Sequence, residues 1–266
     1  PHAPYDAPQH YFDLYENKNL RPPVRGDWNN EALLQEKGRI FNSCTGPSDP
    51  ELIRQQQVGY YACITHIDHQ IGRIIQALIE HQLMDDTVIL FTSDHGEMLS
   101  DHGFCRKSLP YRGSAHIPMF LSGSEKYLGK VGVTDDSLVE LRDVMPTLLD
   151  LAGAPIPKHL DGESMLRGVM RTYLHGEHAF FFHNYSSQFI VTKHDKFIWF
   201  NQRAEYQYFD LDKDPYETHN AINDPQYAER IEELRRLLAK ELKDSEEGYS
   251  DGEHLIEGRT PQNCLS

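Results

Sequence analysis

The sequence predicts an α/β protein: a mostly parallel sheet flanked by helices, then a small C-terminal antiparallel sheet with its own helix. Three observations predict it. Apolar residues recur at helical spacing from about Pro50 to Gln82, and a short turn then leads into an apolar run, Val88-Ile89-Leu90-Phe91. A second apolar run, Ile117 to Leu121, follows a dense polar loop, which is the alternation of a sheet with helices on its faces. From about residue 171 the pattern changes to short β-prone runs separated by polar turns, an antiparallel meander, and a last amphipathic stretch closes it. The expected division is therefore 1–170 and 171–266.

Composition bounds the function. The chain has 266 residues, 39% of them hydrophobic, enough for a sizeable core. A net charge of −15 argues against a nucleic-acid partner, because backbone binding needs clustered Lys and Arg. An anionic substrate must then be held locally, by a metal or a few placed cations. The four cysteines, Cys44, Cys63, Cys105 and Cys264, form neither a CxxC pattern nor a dense disulfide framework. No apolar run approaches the length of a membrane span, so no membrane partner is expected. Pro1-His2-Ala3-Pro4 has no starting Met and reads like an interior loop, so the chain is expected to begin mid-protein.

Residues 1–30 are rich in Pro, Asn, Asp and aromatics without periodicity, as a loop over a surface or cleft would be. A short helix is possible within 31–50. Ser48-Asp49-Pro50-Glu51 then offers a cap, an early proline and acid in the first turn. In the helix that follows, Val58, Tyr61, Ile64, Ile67, Ile71, Ile74, Ile75, Leu78 and Ile79 define one apolar face. His66, Asp68 and His69 lie on it too, but neighbours on a helix point in different directions, so a structural role is expected. Gly72 is expected to let a neighbour pack closely. Asp143 to Leu151 reads as a helix with Pro146 in its first turn and Gly153 past its end. Ala179–His183, Gln188–Thr192, Lys196–Phe200 and Glu205–Leu211 are the expected strands, and Gln226 to about Lys243 is the last helix, with Ile231, Leu234, Leu238 and Leu242 inward. The acidic tail beyond Asp244 is expected to drape over the surface. Asn184-Tyr185-Ser186 is a formal glycosylation acceptor.

The chemistry concentrates between the two apolar runs. Asp94 and His95 directly follow the first strand, where α/β proteins place ligands. Carboxylate oxygen beside imidazole nitrogen suits a divalent cation. Gly96 is expected to let the chain turn sharply around it. Taken alone, Asp94-His95-Gly96 also fits a turn in which Asp94 caps the next segment. Lys107 lies in the same loop, and its ammonium suits a sulfate or phosphate oxygen. Arg106 and Arg112 are assigned surface or supporting roles. His102 and His116 are either proton donors and supports or structural histidines, and Glu97 and Asp101 are expected to cap or pair.

The stretch TSDHGEMLSDHGFCRKSLPYRGSAHIPMFLSG, the opening PHAPYDAP, the Asp143–Gly153 helix with Leu160-Asp161-Gly162-Glu163-Ser164, and the segment Tyr208-Phe209-Asp210-Leu211-Asp212-Lys213-Asp214-Pro215-Tyr216-Glu217-Thr218-His219-Asn220 together resemble the sulfatase family of the alkaline-phosphatase superfamily, including its phosphonate monoester hydrolases. The resemblance implies an alkaline-phosphatase-like fold, with 1–170 as the C-terminal part of the catalytic domain. It implies a metal-dependent sulfuric ester hydrolase, with phosphodiester or phosphonate hydrolysis, or a non-catalytic fragment that only binds, as alternatives. Asp94 and His95 match the family's metal pair, Lys107 its sulfuryl-binding lysine, and His2 the histidine that contacts the sulfate or leaving-group oxygen. The implied cofactors are one divalent cation, Ca²⁺ first with Mn²⁺ or Mg²⁺ as alternatives, and a formylglycine.

Two departures accompany the resemblance. Arg112 stands where many members carry Glu. The Cys/Ser-x-Pro/Ala-x-Arg motif that yields formylglycine is not matched by Cys44-Thr45-Gly46-Pro47-Ser48. The nucleophile is therefore expected in an N-terminal remainder of the enzyme, and these residues alone are expected to be inactive. The implied substrate is a small anionic sulfate ester. An oligomer is compatible with the family, whose members occupy cytoplasm, periplasm and lysosome.

Overall fold

The computed structural model of the chain describes residues 1–29, 43–180 and 185–261. The helix sought within 31–50 falls mostly outside them, and so does Asn184 of the glycosylation pattern.

Helix α1 (Gln9–Asp13) lies in the opening segment, and strand β1 (Ser43–Thr45) precedes the long helix α2 (Pro50–Glu80). Asp49 caps α2, its carboxylate accepting the Glu51 N–H at 2.9 Å, with Pro50 at the first helical position. Strand β2 (Ile89–Thr92) follows, then β3 (Phe104–Arg106), the short helix α3 (Arg112–Ala115), β4 (Met119–Ser122) and α4 (Glu125–Leu128). Helix α5 spans Val144–Leu151, with Gly153 in the left-handed conformation past its end.

β2 and β4 pair antiparallel, Ile89 opposite Ser122 and Thr92 opposite Met119. β1 and β3 form a second antiparallel pair, not foreseen from so short a pattern. Every strand pair among the described residues is antiparallel, so these strands show no parallel pairing of their own.

The C-terminal meander is as expected: β5 (Leu174–Phe180), β6 (Tyr185–Val191), β7 (Asp195–Phe200) and β8 (Glu205–Asp210) pair antiparallel in sequence order. The first strand begins five residues before the predicted 179, because Gly176, Glu177 and two histidines disguise it. Helix α6 (Ala228–Glu241) buries Ile231, Leu234 and Leu238. The sheet is covered on both faces. Phe197 and Trp199 face α6, while the alternating Ile198 and Phe200, with Phe209, face Met98, Phe104, Leu109 and Tyr111 of the polar loop. The tail returns to the sheet: Tyr249 is fully buried and the Tyr206 hydroxyl donates to Glu257 at 2.8 Å.

Two expectations about α2 are corrected. Its apolar face is covered only in part: Val58 and Ala62 are buried, whereas Ile64, Ile67, Ile74 and Ile79 are 40–61% exposed. The described residues supply cover only from the opening segment, through Tyr5, Tyr11 and Tyr15. Among the described residues Gly72 has no close neighbour, since a Cβ there would meet nothing within 4 Å; Gly59 does, its Cβ position lying 2.9 Å from Tyr5.

Candidate functional site

Asp94 and His95 leave the end of β2 into solvent. The Asp94 side chain is 85% exposed and that of His95 is 32% exposed. The Asp94 Oδ1 accepts the His95 N–H at 3.0 Å, and His95 Nε2 lies 3.5 Å from Asp94 Oδ2. His95 Nδ1 is 2.8 Å from the Gly96 carbonyl, which can only accept, so Nδ1 is the donor there and Nε2 is the nitrogen turned to Asp94. A backbone carbonyl behind one ring nitrogen is the support that ligating histidines carry. One carboxylate oxygen and one free imidazole nitrogen thus point to a common place, and both could reach one ion at metal–ligand lengths of about 2.0–2.5 Å. Among the described residues no cluster of three or more His, Cys, Asp or Glu completes a metal site.

Gly96 is required for a reason other than the sharp turn expected of it. Its N–H bonds the Ser114 carbonyl at 2.8 Å, and a Cβ would come within 2.1 Å of the Gly113 oxygen. The glycine lets the Asp94–His95 loop lie directly on α3.

Lys107 and His2, 105 positions apart in the chain, are in contact: Nζ is 2.9 Å from His2 Nε2. His2 Nδ1 donates to the Ala3 carbonyl at 2.7 Å, which leaves Nε2 as acceptor for the lysine. The His2 and His95 rings lie 6.5 Å apart, edge to face. The structure therefore brings all four sequence-predicted residues to one end of β2. The opening segment reaches there because Tyr5 packs into the notch left by Gly59 of α2 and beside Tyr60; burial pushes both phenols up.

The loop that carries Lys107 is strained and tightly bonded. Leu99, Ser100, His102, Arg106 and Ser108 all have positive φ, so both neighbours of Lys107 are left-handed. Glu97 holds the bend by accepting the Leu99 and Arg106 N–H groups, and Asp101 pairs with Arg21 at 3.0 Å while capping Val24 N. Both acids thus cap or pair as expected. His102 is structural: it is 2% exposed, lies against Trp28 and Tyr111, and burial holds it below the usual histidine range. His116 is pushed the same way by burial and by Arg112. A cavity of about 290 Å³ opens beside this loop, lined among others by Arg21, Glu97, Arg112, His116 and Tyr216.

The sequence reading missed what lies behind the loop. The buried Lys196 of β7 pairs with Glu217, which is fully buried in the turn after β8. Lys196 Nζ also donates to the Pro110 carbonyl at 2.9 Å, and Glu217 Oε2 accepts the Arg112 N–H at 2.7 Å. The Asp214-Pro215-Tyr216-Glu217 run was visible as a motif, but nothing in its spacing reveals that Glu217 points into the site loop.

The family model described as Sulfatase matches residues 1–154, and the one described as N-sulphoglucosamine sulphohydrolase, C-terminal, matches residues 100–244. An arylsulfatase of Clostridium perfringens is 46% identical over 265 residues, covering 97% of this chain and 55% of the relative. The phosphonate monoester hydrolase SpPMH of Silicibacter pomeroyi superposes with a TM-score of 0.78 at 25% identity, over 91% of this chain and 54% of that one. The structure of BT4656 in complex with its substrate D-glucosamine-2-N,6-O-disulfate superposes with a TM-score of 0.67 at 27% identity, over 73% of this chain and 41% of that one. The chain spans about half the length of the first of these relatives. These solved relatives carry the alkaline-phosphatase-like fold expected from the sequence. The chain belongs to the sulfatase family.

Proposed function

We propose that this chain is the part of a metal-dependent sulfuric ester hydrolase that supplies one side of its cation site and its grip on the sulfuryl group. The observation that supports this reading is the convergence of His2, Asp94, His95 and Lys107 at the end of β2. The donor set fits a divalent cation in kind, a hard carboxylate oxygen and an imidazole nitrogen; the family resemblance makes calcium the first choice, with Mn²⁺ or Mg²⁺ as alternatives, and the imidazole tilts the set towards Mn²⁺. A cation held there would supply a fixed positive charge against the ester's oxygens.

The chain's own residues do the rest. Lys107 donates one N–H to His2 Nε2 and keeps two for the anion. As the ester bond breaks, charge builds on the sulfuryl and leaving-group oxygens, and a fixed ammonium stabilises that charge without reorganising. His2, held by the Ala3 carbonyl, orients the ammonium and stands ready at the leaving-group side. The nucleophile, a formylglycine, and the remaining cation ligands belong to an N-terminal remainder of the enzyme. The substrate is a small anionic sulfate ester; nucleic acid and membrane are not partners in this reading, and 1–170 and 171–266 act as catalytic part and appended subdomain. The similarity to a phosphonate monoester hydrolase supports a second reading, hydrolysis of phosphodiesters or phosphonates at the same site.

The test is hydrolysis of nitrophenyl sulfate, bis-nitrophenyl phosphate and nitrophenyl phenylphosphonate by the full-length enzyme. The sulfate ester is expected to turn over with the highest kcat/KM; a preference for either phosphorus ester favours the second reading. Lys107→Ala is expected to lower kcat/KM about 10²–10³-fold, the cost of removing one placed charge donor. Asp94→Ala is expected to lower bound metal, read by elemental analysis, and unchanged metal content and activity would remove the ligand assignment.

A further inference from the structure

We propose that Glu217 and Lys196 of the C-terminal subdomain are positioning residues for Lys107. The inference rests on the reading of Lys107 as the sulfuryl-binding lysine and extends it to residues far from the ester.

Three consecutive residues of the site loop are held, one after another, by the C-terminal subdomain. The Pro110 carbonyl accepts from Lys196 of β7 at 2.9 Å. The Tyr111 hydroxyl donates to Gln207 of β8 at 3.0 Å, and both side chains are buried. The Arg112 N–H donates to Glu217 at 2.7 Å. Glu217 also fixes a second wall of the loop, because its own carbonyl accepts the Trp28 Nε1–H at 2.8 Å and Trp28 stacks on Tyr111 at 4.7 Å between ring centres. One buried ion pair therefore ties β7 and the turn after β8 to both sides of Tyr111, and the Glu217 backbone carbonyl ties that turn to the opening segment.

The grip is needed because of the backbone it restrains. Lys107 lies between Arg106 at φ +66° and Ser108 at φ +70°, conformations that a residue with a side chain keeps only when its surroundings impose them. On the upstream side Glu97 and Met98 hold Arg106, the Met98 N–H bonding its carbonyl at 2.8 Å. On the downstream side the three grips begin at Pro110, three residues after Lys107. Release of the downstream side lets the lysine relax out of its left-handed flanks. A displacement of about 1 Å at a catalytic group can cost about 100-fold in rate. Lys196 and Glu217 touch neither substrate nor cation in this arrangement, and they act through Lys107.

The test is a double-mutant cycle in the full-length enzyme, on whichever nitrophenyl ester it hydrolyses best. Glu217→Gln keeps an acceptor for Arg112 N–H but removes the charge that Lys196 faces. It is expected to lower kcat about 10–100-fold. In a Lys107→Ala background the same change is expected to cost less than about 2-fold, because the group it positions is gone. An equal loss in both backgrounds overturns the proposal, since a merely structural role does not depend on Lys107. Tyr111→Phe, which deletes only the hydroxyl bonded to Gln207, is the milder second variant should Glu217→Gln fail to fold. It is expected to give a smaller loss that also vanishes without Lys107, and persistence of the loss overturns the proposal equally. Binding of inorganic sulfate, followed by calorimetry, separates this proposal from the reading beneath it. If no ester is hydrolysed but sulfate binding weakens in Glu217→Gln only while Lys107 is present, the catalytic reading fails and the positioning role stands.

Discussion

The two faces of the C-terminal sheet and the exposed face of α2 make a useful contrast. Both are built from large apolar side chains at regular spacing. The sheet is closed on both sides: Phe197, Phe200, Phe209 and Leu234 are at most 2% exposed, with α6 on one face and the site loop on the other. The α2 face is open, and Ile74 is 61% exposed and Ile79 54%. The β2–β4 pair behaves like α2, with Phe120 stacked on Phe91 yet 53% exposed. The difference teaches where this chain carries its own stability. The C-terminal half forms a core from its own residues, and it also backs the site loop. The first half presents, in α2 and the β2–β4 pair, apolar faces that the described residues do not cover.

The contrast breaks first at Phe209. Its substitution by Ala empties a fully buried position between sheet and loop, and about 3–5 kcal/mol of unfolding free energy should be lost. Urea unfolding measures it, and a loss below about 1 kcal/mol would mean that the two layers are not packed as one core. A second, smaller effect is expected on acidification. Burial lowers the His178 pKa from 6.5 to about 4, and its Nε2 is buried without a partner. The unfolded chain therefore takes up this proton first, and stability falls as pH drops from about 6.5 to about 4, by about 3 kcal/mol at most. His102, held low by burial, acts in the same direction. Urea midpoints between pH 7.5 and 4.5 should fall for the parent chain and fall less for His178→Gln; parallel curves would remove His178 as the source. The smallest effect sharpens the open side. Ile74→Ser on the exposed α2 face should change the stability of the 266-residue chain by less than about 0.5 kcal/mol. In a longer form of the enzyme, where further chain covers that face, the same change should cost more. Equal, small effects in both forms would mean that the α2 face stays open.

Much of this was legible in the sequence because it depends on local patterning. Asp49, Pro50 and Glu51 announce the start of α2, and the β-prone run 196–200 announces a strand, whose burial on both faces the structure adds. The first strand of the meander was placed late because Gly176 and Glu177 suit a turn as well as a strand. Gly72 was misread because a glycine in a helix does not reveal whether anything approaches it; Gly59, which does meet a neighbour, carries the same letter. For the site, Asp94, His95 and Lys107 are legible from their residue types in the loop after an apolar strand, whereas His2 is legible only through the resemblance; the structure brings the four together. His102 could be assigned only once Trp28 and Tyr111 were seen against it.

The sequence by itself determined the α/β class, the long helix α2 with the strands β2 and β4 after it, the meander with its closing helix, and the family, since these follow from local periodicity, caps and motifs. Tertiary structure alone decided the meeting of His2 with Lys107 across 105 residues, and the grip of Lys196 and Glu217 on the loop between them. It also decided which half of the molecule encloses its own core. The physical reason is range. A cap or a strand is specified by neighbours a few residues apart, whereas a buried ion pair exists only where packing removes water from two distant segments at once.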